Sequence, residues 1–193
     1  MKRIAVFCGS SFGSKKVYEE QAYLLGKTLA EQGIGLVYGG ANIGLMGAVA
    51  DGAIKNGGEV VGIIPHFLQD KEIAHDGLSE LILVETMHDR KTKMNELSNG
   101  VITLPGGFGT MEEFFEMLTW AQLGLHQKPI GILNVDGFYN HLLQMVQSMV
   151  DQGFLKEVNQ KMLLVSDTID DLLSQMKAYK APAVTQWIAP GEE

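Results

Sequence analysis

The chain alternates short apolar runs with longer segments of helical periodicity, and this alternation restricts its fold more than any other feature. Apolar runs typical of buried strands fall at residues 2–8, 34–38, 59–64, 81–84, 101–104, 130–133 and 163–165. Helical patterns fall between and after them, at residues 14–32, 44–55, 87–99, 110–123, 138–152 and 168–177, with a short element at 155–161. Repeating strand and helix units predict an α/β fold, in which a mostly parallel, doubly wound sheet carries helices on both faces.

The length of the chain favours a single domain. Its 193 residues are enough for one sizeable core, and no internal domain boundary is visible. We predict one domain over residues 1–180 and a frayed tail over residues 181–193. Polar residues 66–79 carry no clear period, and we predict a loop there.

Charge, cysteine and histidine content exclude several classes of function. A net charge of −8 argues against nucleic acids and anionic membranes as partners. Cys8 is the only cysteine, and the five histidines lack metal-ligand spacing, so neither a disulfide nor a metal site is predicted. No apolar run reaches the roughly 18 residues of a membrane span and no signal-peptide core follows Met1, so a cytoplasmic protein is expected.

Glycine-containing turns follow three of the predicted strands. Gly9-Ser10-Ser11 follows the first strand, Gly39-Gly40 follows the second, and Gly106-Gly107 follows the fifth. The carboxyl ends of parallel strands meet at one edge of a sheet, and ligands bind beyond that edge where the connections diverge. We therefore predict one cleft that collects all three turns.

The fifth strand leads into a glycine turn and a carboxylate-rich helix, with the sequence Leu104-Pro-Gly-Gly-Phe-Gly-Thr-Met-Glu-Glu-Phe-Phe-Glu-Met117. A helix that begins near Thr110 directs free backbone N–H groups and a partial positive charge at a ligand, typically a phosphate. Glu113 has two open interpretations: it is a functional carboxylate, or it forms a capping box with Thr110. Glu112 and Glu116 lie one helical turn apart beside it.

Two common nucleotide-binding motifs are missing from the chain. The first strand is followed by Cys8-Gly-Ser-Ser-Phe-Gly13, which lacks the G-x-G-x-x-G spacing, and residues 40–47 do not end in the Lys-Ser or Lys-Thr of a Walker loop. NAD and ATP are therefore disfavoured, and no cofactor is predicted. A mononucleotide is the remaining ligand for the predicted phosphate site.

The segment Met87-His-Asp-Arg-Lys-Thr-Lys93 is the densest basic patch in this acidic protein, and it opens the helix after the fourth strand. Cations at the start of a helix run against the helix dipole. Because this helix start is expected to adjoin the turn at residues 105–113, we favour a functional interpretation, in which Arg90 or Lys91 points into the cleft toward a phosphate or a base. The alternative is a solvated helix face, on which Arg90 pairs with Asp89 or a nearby glutamate.

The helix predicted at residues 110–123 is apolar on more than one side. Packing against one face of a sheet does not require so many apolar residues, so a subunit interface is predicted. A two-fold homodimer is the expected assembly.

Several of these motifs together resemble the Lonely Guy family of cytokinin-activating phosphoribohydrolases. The resemblance depends on Pro105-Gly-Gly-Phe-Gly-Thr-Met-Glu-Glu113, together with Met87-His-Asp-Arg-Lys91, Val37-Tyr-Gly-Gly40 and Gly44-Leu-Met-Gly47, and it covers most of the chain. It implies a Rossmann-like homodimer that hydrolyses the N-glycosidic bond of adenosine 5′-monophosphate (AMP) or its N6-isopentenyl form to free base and ribose 5-phosphate. Family members have also carried a lysine decarboxylase label. That activity requires pyridoxal phosphate, and no residue pattern identifies a Schiff-base lysine.

The resemblance also implies roles for individual residues. Arg90 and Glu113 match the catalytic pair: Glu113 would stabilise the oxocarbenium-like sugar or orient the water, and Arg90 would donate to the leaving purine or hold the phosphate. The implied substrate contacts are Glu72, Arg90, Lys91, Gly106, Gly107, Phe108, Gly109, Thr110, Met111, Glu112, Glu113 and Thr119. Further candidates are Gly9, Ser10, Gly39, Gly40, Met87 and Glu116.

A second class of function stays open at this point. In a nucleotide-binding carrier or sensor of related fold, the same cleft would hold a ligand without chemistry. The presence of both Arg90 and Glu113 favours the enzyme.

Overall fold

The computed structural model of the protein describes residues 1–68 and 74–183. The described residues form one seven-stranded sheet that helices cover on both faces. The strands are β1 (Arg3–Phe7), β2 (Gly35–Tyr38), β3 (Val60–Pro65), β4 (Glu80–Val84), β5 (Val101–Thr103), β6 (Ile130–Leu133) and β7 (Leu163–Ser166). The helices are α1 (Lys16–Glu31), α2 (Gly44–Ile54), α3 (Met87–Leu97), α4 (Phe108–Leu123), α5 (Asn140–Asp151), α6 (Glu157–Gln160) and α7 (Ile169–Ala178).

The strand order is β4-β3-β2-β1-β5-β6-β7, and every pairing between neighbouring strands is parallel. The predicted doubly wound α/β fold is therefore confirmed. The chain builds the sheet outward from β1 to β4, returns to the other side of β1 as β5, and continues outward to β7. The connections after β1 and β5 consequently leave toward opposite faces of the sheet, and a crevice opens between them.

The central strands are apolar on both sides because helices cover both faces. In β1, Ile4 and Val6 point to the face where α1, α2 and α7 pack. Ala5 and Phe7 point to the opposite face, toward α3, α4 and α5. All four side chains are at most 2% exposed. This double burial explains why the strands appear in the sequence as continuous apolar runs.

Helices α1 and α2 cross with their backbones in contact, and two glycines make this possible. A Cβ atom on Gly26 would collide with the Val49 carbonyl oxygen, and a Cβ atom on Gly52 would collide with that of Tyr23. Another side chain at either position would force the helices apart. In the sequence, both glycines lie inside segments of helical periodicity, and no local pattern indicates this contact.

The predicted elements are all present, with most bounds shifted by one or two residues. The segment predicted as a loop at residues 66–79 contains more structure than expected. His66–Leu68 form a 3-10 turn, and Ala74 forms an antiparallel bridge with Ala41. Residues 69–73, and residues 184–193 of the tail, lie outside the described residues. The helices in the described part of the chain fall short of the length and hydropathy that a membrane span requires.

His126 follows α4 and its hydrogen bonds select a neutral ring. Its Nε2 atom lies 3.1 Å from the Met117 carbonyl oxygen, and its Nδ1 atom accepts from the Lys128 N–H at 3.3 Å. Because Nδ1 accepts, the ring proton is on Nε2. Burial, with a smaller contribution from the positive charge of Lys128, lowers the pKa of His126 from 6.5 to about 4.

We predict that His126 makes the protein less stable in acid. The unfolded chain takes up a proton at His126 near pH 6.5 and the folded protein only near pH 4, so stability falls as the pH drops through this window. The loss is at most about 3 kcal/mol. His126→Gln keeps an N–H donor and should flatten the pH dependence of the free energy of unfolding, measured by urea titration. His141→Gln, at an exposed histidine, is the control, and an unchanged slope in His126→Gln contradicts the prediction.

Candidate active site

The glycine turns meet at the carboxyl edge of the sheet, around the ends of β1, β2 and β5. The Gly9 N–H donates to the Pro105 carbonyl oxygen at 3.0 Å, which joins the turn after β1 to the turn after β5. The Leu45 N–H donates to the Gly9 carbonyl oxygen at 3.0 Å, which joins the start of α2 to the same turn. A Cβ atom on Gly44, whose φ is +54°, would collide with the Ser10 backbone. The turns therefore lie together in one cleft, where the strand order reverses.

Helix α4 begins earlier than its sequence pattern indicates. Its N-cap is Gly107, in an extended conformation, and its first residue is Phe108. The capping box considered for Thr110 and Glu113 is therefore wrong, because Thr110 lies inside the helix and is only 4% exposed. A Cβ atom on Gly106 would collide with the Thr110 side chain, so the glycine lets the turn close directly onto the helix. The carboxylates of α4 consequently lie beyond its first turn.

A capping box does occur, at the start of α3. The Thr86 hydroxyl accepts from the Asp89 N–H at 3.0 Å, and the Asp89 carboxylate accepts from the Thr86 N–H at 3.0 Å. An aspartate stands where the usual pattern has glutamate or glutamine, which hides the box from a sequence search. It fixes the first turn of the helix that carries Arg90 and Lys91.

A cavity of about 300 Å³ opens in the cleft. Its described lining residues are Cys8, Gly9, Ser10, Met46, Leu68, Met87, Arg90, Gly107, Phe108, Gly109, Thr110 and Glu113. Gly107 and Gly109 face open space, since a Cβ atom on either would meet nothing within 4 Å. The first N–H groups of a helix have no acceptor inside the helix, so this end of the cavity is suited to an anion.

The Arg90 guanidinium lies between the cavity and the turn after β2. Arg90 is 5% exposed, and its Nη2 atom donates to the Gly39 carbonyl oxygen at 2.7 Å. A Cβ atom on Gly39 would collide with that nitrogen, so glycine is required for the arginine to sit there. Gly40 instead packs against Ile64 of β3, with a φ of +80°, and is not among the described residues that line the cavity.

Arg90 and Glu113 both act electrostatically on Cys8, at the end of β1. Burial raises the pKa of the Cys8 thiol far above its ordinary value; the negative charge of Glu113 raises it further, and the positive charge of Arg90 lowers it. One sulfur atom thus lies within range of both charges. Cys8 therefore stays a neutral thiol, which is a poor nucleophile. The charged side chains among the described lining residues are those of Arg90 and Glu113.

Lys91 is not among the described residues that line the cavity. Its ammonium group forms ion pairs with Glu112 and with Glu116, the latter at 3.0 Å. Burial acts to lower the pKa of Lys91, but the two carboxylates outweigh this effect and raise the pKa above its ordinary value. Of the two basic residues expected to reach the cleft, the structure places Arg90 there.

Several other residues implied by the resemblance lie elsewhere. Thr119 is exposed, donates to the Phe115 carbonyl oxygen at 2.7 Å, and borders a separate pocket of about 150 Å³ beside α5 and α6. Gly106 borders an adjoining cavity of about 260 Å³ that also contacts α1. Met111 packs at the edge of the core. Glu72 lies outside the described residues.

Three described lining residues were not among the sequence candidates: Cys8, Met46 and Leu68. Cys8 matches the pattern of a small buried hydrophobic residue, and Leu68 lies in a segment whose apolar residues show no regular spacing. Met46 lies within Gly44-Leu-Met-Gly47, and that glycine motif was the one available signal. Residues next to a strand end or a glycine turn are the ones that a parallel sheet brings to its ligand edge.

Comparisons with known proteins identify the family of this chain. The family model described as "Possible lysine decarboxylase" matches residues 46–176. A cytokinin riboside 5′-monophosphate phosphoribohydrolase of Arabidopsis thaliana is 46% identical over 179 residues, which is 93% of this chain and 78% of that protein. The chain belongs to the Lonely Guy family. A probable phosphoribohydrolase of the same kind from Oryza sativa subsp. japonica is 45% identical over 179 residues, which is 92% of this chain and 73% of that protein.

A solved structure shares the fold of this Lonely Guy protein. The molybdenum cofactor binding protein from the phototrophic bacterium Rippkaea orientalis matches with a TM-score of 0.70 and 22% identity, covering 92% of this chain and 97% of that one. At this identity the likeness shows the fold alone, and function has to be argued from the cavity.

The description "lysine decarboxylase" implies pyridoxal phosphate, which enzymes hold on a lysine. The described residues that line the cavity of this Lonely Guy protein include no lysine. Lys91, on the helix that carries Arg90, is ion-paired with two carboxylates. Within residues 1–68 and 74–183, the lining of the cavity therefore does not fit this cofactor.

We predict that Gly39→Ala displaces the Arg90 guanidinium. The new methyl group takes the position of Nη2, and a misplacement of about 1 Å at a reacting group lowers a rate by as much as 10²-fold. Turnover of a cytokinin riboside 5′-monophosphate, the substrate named for the relatives, is the measurement. Gly35→Ala, at the start of the strand that leads to Gly39, is the control, because its methyl group would meet the Glu59 and Arg3 side chains, which can move. Full activity in folded Gly39→Ala contradicts the prediction.

Proposed function

We propose that the protein hydrolyses the N-glycosidic bond of a nucleoside 5′-monophosphate and releases the free base and ribose 5-phosphate. The observation that supports this is the convergence of Arg90, Glu113 and the glycine-rich start of α4 on one cavity. A cation, a carboxylate and an anion-binding helix end are the groups that the reaction requires. The relatives are named for cytokinin riboside 5′-monophosphate, and AMP is the unmodified nucleotide with the same parts.

The start of α4 is the proposed binding site for the 5′-phosphate. Its glycines leave the backbone N–H groups accessible, and the helix dipole favours negative charge there. Glu113 lies further into the same helix, at about 7 Å of axial rise from Phe108. This spacing leaves room for the ribose between the phosphate and the carboxylate.

Glu113 is proposed to act on the sugar. When the bond between C1′ and the base nitrogen breaks, its electron pair leaves with the base and positive charge develops on the ribose. The carboxylate stabilises that charge and orients the attacking water. The water oxygen bonds to C1′ and keeps one hydrogen, and the other proton ends on the released base.

Arg90 is proposed to act on the departing base. The guanidinium is buried and held by the Gly39 carbonyl oxygen, so its position is set before the reaction begins. A preorganised cation near the base stabilises the negative charge that develops there. If Arg90 instead binds the phosphate, its replacement would raise KM and would not lower kcat.

The apolar part of the lining is proposed to receive the purine. Met46, Leu68 and Met87 provide it. Methionine side chains are unbranched and adapt to different shapes. A lining of this kind accepts a purine both with and without an N6 substituent, which makes AMP and its N6-isopentenyl form the substrates to test.

We also propose that the protein is a homodimer. On α4, Phe115, Leu118 and Trp120 pack against the core and stay partly exposed. The edge strand β4 exposes Leu81 and Leu83 by 37% and 38%. Partly exposed apolar side chains of this kind, on a helix and on a sheet edge, are suited to contact with a second copy related by a two-fold axis.

We predict that Thr119→Glu weakens this dimer. Thr119 is exposed on α4, so the new charge leaves the core intact but meets its own copy, or apolar surface, across the interface. Light scattering should give twice the chain mass of 21.1 kDa for the wild type and a lower average for the variant. Ser174→Glu, exposed on α7, is the control. A wild-type protein of single-chain mass contradicts the proposed dimer.

We predict that Glu113→Gln lowers kcat by about 10²- to 10³-fold with little change in KM, because the amide keeps the size of the side chain but loses its charge. Glu96→Gln removes an exposed carboxylate from α3 and is the control. Near-normal turnover in folded Glu113→Gln would move the role to Glu112 or Glu116.

The reaction itself is tested by incubating the protein with AMP and with its N6-isopentenyl form, followed by chromatography for free base and ribose 5-phosphate. Release of base from either nucleotide supports the proposal. Tight binding of a nucleotide without release of base overturns it and favours a carrier.

A further inference from the structure

A three-residue ion cluster of Lys91, Glu112 and Glu116 lies beside the cavity. Lys91 contributes the ammonium group from α3, and the two glutamates contribute carboxylates from α4. The lysine is 7% exposed, which is unusual for this residue type. The cluster therefore connects two helices through a buried ammonium group, while the side chains of Glu116 and Glu112 are 21% and 56% exposed. It is not part of the described cavity lining.

The members of this cluster are the sequence neighbours of the proposed catalytic pair. Arg90 precedes Lys91 in α3, and Glu113 lies between Glu112 and Glu116 in α4. Consecutive side chains of a helix diverge by about 100°, so Arg90 faces the cavity while Lys91 faces the neighbouring helix. Glu112 and Glu116 are one turn apart and share a face of α4.

We propose that Lys91 is a positioning residue: its ion pairs with Glu112 and Glu116 hold α3 against α4 and so set the separation of Arg90 and Glu113. This inference rests on the proposed function, because it assigns Lys91 a part in the same reaction. It replaces the direct substrate contact that the resemblance implied for Lys91 with contacts inside the protein.

Two carboxylates that lie one helical turn apart restrict the movement of α4 more than a single carboxylate would. A single ion pair fixes one distance and leaves a helix free to rotate or slide about it. An ammonium group held by both glutamates fixes the height of α4 and its rotation together. The start of α3 is fixed separately by the capping box of Thr86 and Asp89, so the restraint acts between two ordered helices.

The burial of Lys91 gives the cluster its strength. Exposed ion pairs contribute little, since water competes for both charges. Lys91 is shielded, and loss of its charge would leave two neighbouring carboxylates without their shared cation. The pair of Lys93 and Glu96 provides the contrast on the same helix: its side chains are 40% and 56% exposed, and both belong to α3.

The test is a comparison of kcat and KM for AMP in Lys91→Met, Glu116→Gln, the double variant and the control Lys93→Met. Lys91→Met should lower kcat by roughly 10- to 100-fold, because the catalytic groups shift by a fraction of an ångström. KM and the affinity for ribose 5-phosphate, measured by calorimetry, should stay within about twofold. Glu116→Gln should act in the same direction but less, since Glu112 remains.

The double variant separates coupled from independent effects. If Lys91 acts through Glu116, the double variant has a kcat close to that of Lys91→Met, whereas independent effects would multiply. Thermal melting shows whether each variant is folded. If Lys91→Met does not fold, Glu116→Gln provides the test in its place. Lys93→Met should match the wild type.

Two results overturn the inference in distinguishable ways. A raised KM and a weakened affinity for ribose 5-phosphate in Lys91→Met, with normal kinetics in Glu116→Gln, identify Lys91 as a phosphate ligand while the proposed reaction stands. Absence of base release by the wild-type protein overturns the proposed function, and the positioning role falls with it.

Discussion

The hydrogen bond from the Gly9 amide to the Pro105 carbonyl oxygen joins the two halves of the sheet where the strand order reverses, and the cavity is arranged around it. The turns it joins lead to helices on opposite faces, so the space beyond them stays open. The start of α4 then faces this space with a turn of small residues. The close packing of Gly44 against Ser10 brings α2 to the same place. Backbone geometry alone thus makes this position suited to an anion, before any side chain is considered.

The two charged side chains proposed to carry the reaction reach this site from separate elements. Arg90 comes from α3 and is held by a backbone oxygen at the end of β2, while Glu113 comes from α4. Neither residue is adjacent to the other in sequence, and the parallel sheet is what brings their helices together. The arrangement places a fixed cation and a carboxylate around a partly enclosed volume, which is how enzymes stabilise opposite charges that develop within one substrate. The fold itself does not dictate this chemistry, since similar sheets serve proteins with other names.

The sequence predicted the fold well because two regular signals, apolar strand runs and glycine turns, repeat along it. Predictions that depended on a single local pattern were less accurate. Thr110 and Glu113 have the spacing of a capping box, but Gly106 and Gly107 allow α4 to start earlier and enclose Thr110. The sequence did not indicate which way the Lys91 side chain points. Neighbouring residues of a helix are rotated by about 100°, so Arg90 can face the cavity while Lys91 contacts the next helix. The family resemblance, which depends on the glycine motif, implied roles for individual residues that the local spacing does not indicate.

The pairing of β1 with β5 sets when the cavity appears during folding. One edge of β1 pairs with the nearby strand β2, but on the other edge Ala5 lies opposite Val101, so this edge waits for a partner made much later. A loop of that length is slow to close, and contacts so distant in sequence form late. A nascent or truncated chain without β5 lacks the carbonyl oxygen that Gly9 requires and the helix end that faces it. A ligand in the cavity consequently binds only the completed sheet and stabilises the whole molecule against unfolding, instead of one half of it.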